Sequence, residues 1–422
     1  MKKLLPFLLL TALLLSACAG AGAPTESAGE GIRLVFDGGS VQITGGGARD
    51  QGSAVVISAG GTYEVSGVSS EKVLIVDTGD DPMDVTLILN NLDLTGQAEP
   101  AIHVKQAKHF RLRLATGSDN RLISGSEESL QNLDPEASGA ALYCADDMDI
   151  EGEGSLTVCG YLNNGIACKK DLDINGGSIT VLAANNGVKG NNSVQIKGGV
   201  IKISAWGDGI KSTRLDKEGK GFVEISGGQV TVDSWSDGIQ AATELRLTGG
   251  SLSVTTKGDG VQASSKALKA GSHILISDGS IVLNTLEDGV RCSEGSVDIS
   301  GGTLDILALG DGVLAGEKDS GLGDITVSGG SLSISAGKQA LKARGSFLVS
   351  GGSIQALSGS EKQAAPVGSP FLLCLLAGPE GDSLQIGSLA QSAPGRVTRA
   401  CSSSLPSSPP GRRSPSPAAP AA

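Results

Sequence analysis

Asn164, Asn186, Asp208, Asp237, Asp259, Asp288 and Asp311 each stand directly before a glycine, at intervals of 22, 22, 29, 22, 29 and 23 residues. If each interval is one turn of stacked strands, these side chains form a line of oxygen ligands roughly 4.8 Å apart. Stacked carboxylates repel one another, and a divalent cation between them relieves the repulsion. Calcium is the ion such a column suits, because it takes six to eight oxygens from carboxylates, amides and carbonyls. Asn-Gly and Asp-Gly are also turn-forming pairs, so a column of plain corners is the competing reading. A second acidic group, Asp146, Asp147 and Asp149, is followed one interval later by Asp171 and Asp173, which supplies further ligands near Asn163 and Asn164. None of these matches an EF-hand loop.

Three residues after each corner comes a column of mixed character: Ala167, Lys189, Lys211, Gln240, Gln262, Arg291 and Leu314. Its cations could contact sugar carboxylates directly, or could simply neutralise the neighbouring Asp side chains. Two residues before the corner, Trp206 and Trp235 occupy one position on successive turns, where their faces could stack on sugar rings. Leu162, Ala184, Leu286 and Leu309 share that position and favour a partly buried corner stack, whereas Lys257 does not. His103, His109 and His273 have no metal-ligand spacing, and the chain carries no nucleophile elbow or zinc motif. Cys144 and Cys168 fall at equivalent positions of adjacent turns and could be bridged or be free stacked thiols.

The elements that must position these residues are set by an internal repeat. Aligned on a glycine pair, the chain reads LDINGGSITVLAANNGVKG from Leu172, VQIKGGVIKISAWGDGIKS from Val194 and VEISGGQVTVDSWSDGIQA from Val223, with further copies from Leu245, Ile274, Val297, Ile325 and Phe347. The second glycine of each pair recurs at spacings of 22, 29, 22, 29, 23, 28 and 22 residues. A basic turn of 22 residues thus carries alternate insertions, placed at Leu215 to Gly221, Lys266 to Ser272 and Glu317 to Gly323. Apolar and polar residues alternate within each copy, the period of a strand. The inward columns are Leu172/Ile174 and their equivalents before the glycine pair, Ile179/Val181 and theirs after it, and a single residue after the later corner: Ile166, Val188, Ile210, Ile239, Val261, Val290 and Val313. Three short strands per turn with no room for a helix predict an all-β fold, a right-handed parallel β-helix with coils of about 22 residues. A β-propeller blade would need roughly 40 residues.

Composition agrees. Of 422 residues 63 are glycine and 11 aromatic, which suits tight corners and a narrow aliphatic core. No proline occurs between Glu136 and Ala365, as uninterrupted ladders require. The formal charge of −12 argues against a nucleic-acid partner.

The two ends differ from the body. Lys2 and Lys3 precede an apolar stretch from Leu4 to Leu15, and Leu15-Ser16-Ala17-Cys18 resembles a bacterial lipobox. Residues 1–18 are therefore expected to be a lipoprotein signal peptide, with Cys18 the lipidated residue and residues 19–30 a flexible tether. This anchors the protein at the extracellular face of the cell membrane. Residues 31–360 are expected to be the β-helix, with 31–84 as its N-terminal cap region. Residues 361–422 are Pro- and Ser-rich without a strand period and are expected to be disordered. An out-of-frame origin is one reading of that tail.

Segments such as VVISAGGTYEVSGVSSEKVLIVDTGDD from Val55, LILNNLDLTGQAEPAIHVKQAKHFRLRLATGSDNRLIS from Leu87 and ALYCADDMDIEGEGSLTV from Ala141 resemble the clostridial carbohydrate-binding β-helix family over residues 32 to 360. The resemblance implies a pectate-lyase-like shape and calcium-dependent binding of acidic plant cell-wall polysaccharide, notably polygalacturonate, without cleavage. The expected site is then Lys189, Lys211, Arg291, Trp206 and Trp235 for the glycan, with Asp146, Asp147, Asp171, Asn164, Asn186, Asp208, Asp237, Asp259 and Asp288 for calcium. A calcium-dependent lyase with Lys211 or Arg291 as base, and a surface spacer with no ligand, are the alternatives.

Overall fold

The computed structural model describes residues 31–132, 139–258, 264–318 and 322–360, and two short strands beyond, Leu376–Ala377 and Leu384–Ile386. The signal peptide, Cys18, the tether, Asp259 and the rest of the tail lie outside the described residues.

Most coils of the repeat contribute two strands to a long sheet, joined into one 13-residue strand at Glu244–Thr256 and His273–Thr285, and one three- to five-residue strand to a second sheet of 13 strands, and successive coils pair in parallel. The fold is the expected parallel β-helix. Inward columns run unbroken: Leu172, Val194, Val223, Leu245, Ile274 and Val297 are paired neighbours, all fully buried. Each such side chain contributes roughly 1.5–3 kcal/mol by leaving water. The single 3₁₀ turn among the described residues is Glu127–Asn132.

The two corners use glycine for different reasons. At the glycine pairs the second member has a positive φ on every copy, +90° at Gly199 for example, where a Cβ would also sit 2.7 Å from the Gly177 carbonyl oxygen. At the Asx-Gly corners φ is not positive. There Gly209 is required by space, because a Cβ would run into Val232 Cγ1 and lie 2.6 Å from the Gly238 oxygen. The turn chemistry that the dipeptides suggested is therefore replaced by close packing of one coil on the next.

One coil departs from the expected frame. Its short-sheet strand is Leu268–Ala270, pairing with Ile239–Ala241 on one side and Val290–Cys292 on the other. Leu268 is the buried inward residue of this coil and Lys269 stands in its outward column, whereas the expected Val261 and Gln262 lie outside the described residues. The corner position falls to Lys266, whose N–H bonds Asp237 Oδ1 at 3.0 Å. Both GDGVQA and SKALKA satisfy the local pattern of small residue, inward aliphatic and outward polar group. Ala267 fills the glycine place, and its carbonyl accepts the Ile239 N–H at 2.9 Å.

The ends are covered by pairing. Ser40–Thr44 folds antiparallel on Ile32–Asp37, and Ala48–Asp50 antiparallel on Ala54–Ile57, while parallel coil pairing already begins at Ile32 and Ala54. Antiparallel covering is thus confined to a shorter segment than residues 31–84. At the other end Leu376–Ala377 and Leu384–Ile386 pair with Ser353–Ser358, the first parallel and the second antiparallel. The tail was expected to offer no strand. An open ladder edge binds whatever extended apolar segment the chain provides, and these short runs satisfy it.

Candidate functional site

The turn that leads from the long sheet into the short one carries, in order, the Trp position, the Asx-Gly corner and the outward residue of the short strand. In the first Trp-bearing coil these are Trp206, Asp208 and Lys211. Their equivalents on successive coils line one edge of the helix.

Asn164, Asn186, Asp208, Asp237, Asp288 and Asp311 do form a column, and all six are buried. Its bonding is that of a ladder. Asn164 Oδ1 accepts the Asn186 N–H at 3.2 Å, Asn186 Oδ1 the Asp208 N–H at 3.2 Å, and Asp208 Oδ1 the Asp237 N–H at 3.0 Å. Asp288 Oδ1 takes the Asp311 N–H at 2.8 Å, and Asp311 Oδ1 the Gln339 N–H at 2.9 Å. The second carboxylate oxygen faces a cation: Lys211 on Asp208 at 2.6 Å, Lys269 on Asp237 at 3.1 Å, Arg291 on Asp288 at 3.7 Å and Lys342 on Asp311 at 2.8 Å. Repulsion along the column is thus relieved by the protein's own ammonium and guanidinium groups.

Calcium would have to displace these partners. In the first acidic group Asp146 pairs with Lys170, Asp147 Oδ1 accepts the Asp171 N–H at 3.1 Å, and Asp171 bonds Ser193 at 2.6 Å and Lys220 at 2.7 Å. No group of three or more His, Cys, Asp or Glu placed to hold a metal occurs among the described residues. The donor set therefore does not fit a resident calcium ion.

The outward column of the short sheet runs His103, Tyr143, Ala167, Lys189, Lys211, Gln240, Lys269, Arg291, Leu314, Lys342, each paired with the next. Lys269 and Lys342 escaped the sequence reading, the first through the frame error and the second because its copy, SAGKQALKA, lacks the corner Asx-Gly. Arg291 is held between Asp288 and Glu317, the latter at 3.1 Å. Lys189 differs: its corner residue is the neutral Asn186, and it has no carboxylate partner among the described residues. Burial, and then the neighbouring Lys211, push its ammonium below the usual lysine range.

Trp206 and Trp235 are 48% and 42% exposed, which replaces the expected partly buried stack with an open rib. Trp206 N bonds the Ala183 oxygen and Trp235 N the Ala205 oxygen, both at 3.0 Å, so the rings stand on adjacent coils. Leu286 and Leu309 continue the rib in the open, and Lys257 lies 6.0 Å from the Trp235 ring centroid. Upstream the position belongs to Tyr161 rather than Leu162, since it is Tyr161 N that bonds the Ser124 oxygen. Cys144 and Cys168 are paired neighbours with free thiols, and Cys168 is pushed far up by its contact with Cys144 and by burial.

The fold and this edge define the protein as a parallel β-solenoid that presents exposed aromatics beside a polar, cationic row. The protein family described as carbohydrate-binding domain-containing protein matches residues 51–312 and 287–393, and the chain belongs to that family. A carbohydrate-binding domain-containing protein of Acetivibrio thermocellus is 34% identical over 187 residues, covering 43% of this chain and 65% of that relative, just under two thirds of its length. A solved structure described as the polysaccharide lyase-like protein from C. thermocellum, in a gadolinium derivative, is similar at 34% identity with a TM-score of 0.50, covering 54% of this chain and 92% of the other.

Proposed function

We propose that this protein is a non-catalytic lipoprotein that holds acidic, polygalacturonate-like polysaccharide at the outer face of the cell membrane. The observation that carries the reading is the exposed Trp206 and Trp235 pair, one coil apart on the edge that also presents the Lys and Arg column. Sugar rings laid along the axis meet apolar faces there, and Lys189 offers a cation that no carboxylate among the described residues holds. Family membership supports carbohydrate as the ligand.

The non-catalytic part of this reading is supported by the partners that the candidate bases already hold. Lys211 is ion-paired to Asp208 and Arg291 to two acids, so neither side chain stands free to act on a bound sugar. Calcium enters this reading as a variable of the experiment and not as a resident ion.

Purified protein is titrated with polygalacturonate and with its carboxyl-reduced form, with calcium and with chelator, while absorbance of unsaturated product is followed. Retention of the acidic polymer alone, with no absorbance growth, is expected. Equal affinity for the reduced polymer removes the acidic class, and accumulating product removes the non-catalytic role. For the anchor, Cys18→Ala is expected to move the protein from the membrane to the soluble fraction; unchanged fractionation overturns it.

A further inference from the structure

Upstream of the Trp rib the same outward face is differently charged. Two columns run side by side here. One is His103, Tyr143, Ala167 and Lys189; the other is Lys105, Ala145 and Lys169, with Ala145 N bonding the Val104 oxygen at 2.9 Å and Lys169 N the Cys144 oxygen at 2.8 Å. Because Ala145 is small and stands between two lysines, the surface sinks. A cavity of about 340 Å³ opens there, lined by His103, Lys105, Tyr143, Ala145 and Lys169 among others. That volume is in the lower range of small-ligand sites.

Among the described residues the lining is cationic and contains no acid. Lys105 and Lys169 have no ion-pair partner among the described residues, in contrast to Lys211, Lys269, Arg291 and Lys342. Their backbones lie two coils apart, roughly 10 Å, so both ammonium groups can converge on one anion. Tyr143 forms the wall between them, with His103 edge-on at 5.2 Å between ring centroids and Lys169 Nζ 6.0 Å from its ring centroid. His103 is pushed below its ordinary range by burial and then by Lys105 and Lys169, while Asp77 opposes more weakly. A net positive hollow on a chain of charge −12 is the opposite of what solubility alone would place there.

We infer that this hollow is a subsite for one anionic pyranose of a glycan chain, its carboxylate held by Lys105 and Lys169 and its ring seated against Tyr143. The inference rests on the acidic-glycan reading above and adds a location to it. Lys189 lies one paired position beyond Ala167 and continues the cationic path from the hollow toward the Trp rib.

The test is calorimetric titration of the full chain with trigalacturonate, with its carboxyl-reduced trimer and with long polygalacturonate. It compares the native protein, the double variant Lys105→Gln/Lys169→Gln, and Lys197→Gln as a control on the other sheet. Thermal melting confirms that each variant is folded, and the native His103 ring proton signal, assigned by its loss in His103→Gln, provides a second readout. The expected result is trimer binding that shifts the His103 signal, weakens at least tenfold in the double variant and is unchanged in the control, with no binding of the reduced trimer. Trimer binding that the double variant retains, or polymer binding without trimer binding, overturns the subsite and leaves the acidic reading standing. Failure of the native protein to bind either acidic ligand overturns both.

Discussion

The Oδ1 atom of Asp208 accepts the backbone N–H of Asp237, 29 residues later in the chain and one coil away, at 3.0 Å. The other oxygen of Asp208 meets Lys211 at 2.6 Å. One side chain thus closes the corner between two coils and anchors a cation on the adjoining strand. Asn164 and Asn186 perform the first task without the second, which explains why either an amide or an acid can occupy this column.

Asp208→Ala leaves a buried N–H on Asp237 without an acceptor and frees Lys211. A loss of about 2–3 kcal/mol is expected, whereas Asp208→Asn, which keeps the acceptor, should cost about 1 kcal/mol or less. Urea unfolding of both variants measures the difference. Equal losses would mean that the ion pair, not the ladder bond, holds the corner.

Asp288 is the weak link of the column. Burial pushes its carboxyl above the ordinary range and the Asp311 charge adds to this, while the bond from the Asp311 N–H and Arg291 at 3.7 Å, shared with Glu317, compensate incompletely. A carboxyl with a raised folded pKa binds its proton more tightly in the native state. Its contribution is therefore favourable at low pH and is lost as pH rises from the unfolded value, 3.8, through the folded one. Asp288→Asn keeps the acceptor for the Asp311 N–H and removes the penalty. Its melting temperature relative to the native protein should be higher at pH 7 than at pH 4, and a difference that does not vary with pH would refute the assignment.

Gly209→Ala puts a methyl into Val232 Cγ1 and the Gly238 carbonyl oxygen although φ there is unstrained. A destabilisation of about 1–3 kcal/mol is expected from overpacking. Val232→Ala in the same chain should recover part of it, because the obstructing atom is then gone. Chemical denaturation of the single and double variants tests the coupling.

Trp206→Ala and Trp235→Ala should each weaken glycan binding by about 1 kcal/mol, roughly fivefold in Kd, with little effect on stability because both rings are half exposed. Affinity electrophoresis on polygalacturonate reads the change. Unaltered mobility of the double variant would move the binding surface elsewhere.

In wild-type protein, calcium should leave the melting temperature unchanged, since an ion that binds only the native state raises it. Lys211→Met/Lys269→Met removes the cations from Asp208 and Asp237 on adjacent coils. That variant should be less stable in chelator and regain stability on calcium addition. A calcium shift already present in the native protein would show that some carboxylates bind the ion in place of their lysines.

The sequence by itself determined the coil. A period of 22 residues, alternation within it and a glycine pair at each copy leave few ways to bury Leu172, Val194 and Val223 except by stacking them. It also determined which residues share a column, because register in a solenoid follows from the repeat. It misplaced one coil, where GDGVQA and SKALKA carry the same local pattern and only pairing with Ile239 and Val290 selects Leu268. Tertiary structure alone decided the partners of the charges. Lys342 reaches Asp311 across 31 residues, and Arg291 divides itself between Asp288 and Glu317, while Lys105 and Lys169 find no acid among the described residues. A column of carboxylates reads the same in sequence whether calcium or lysine neutralises it. The choice rests on distances between side chains of different coils, which alternation and spacing do not encode.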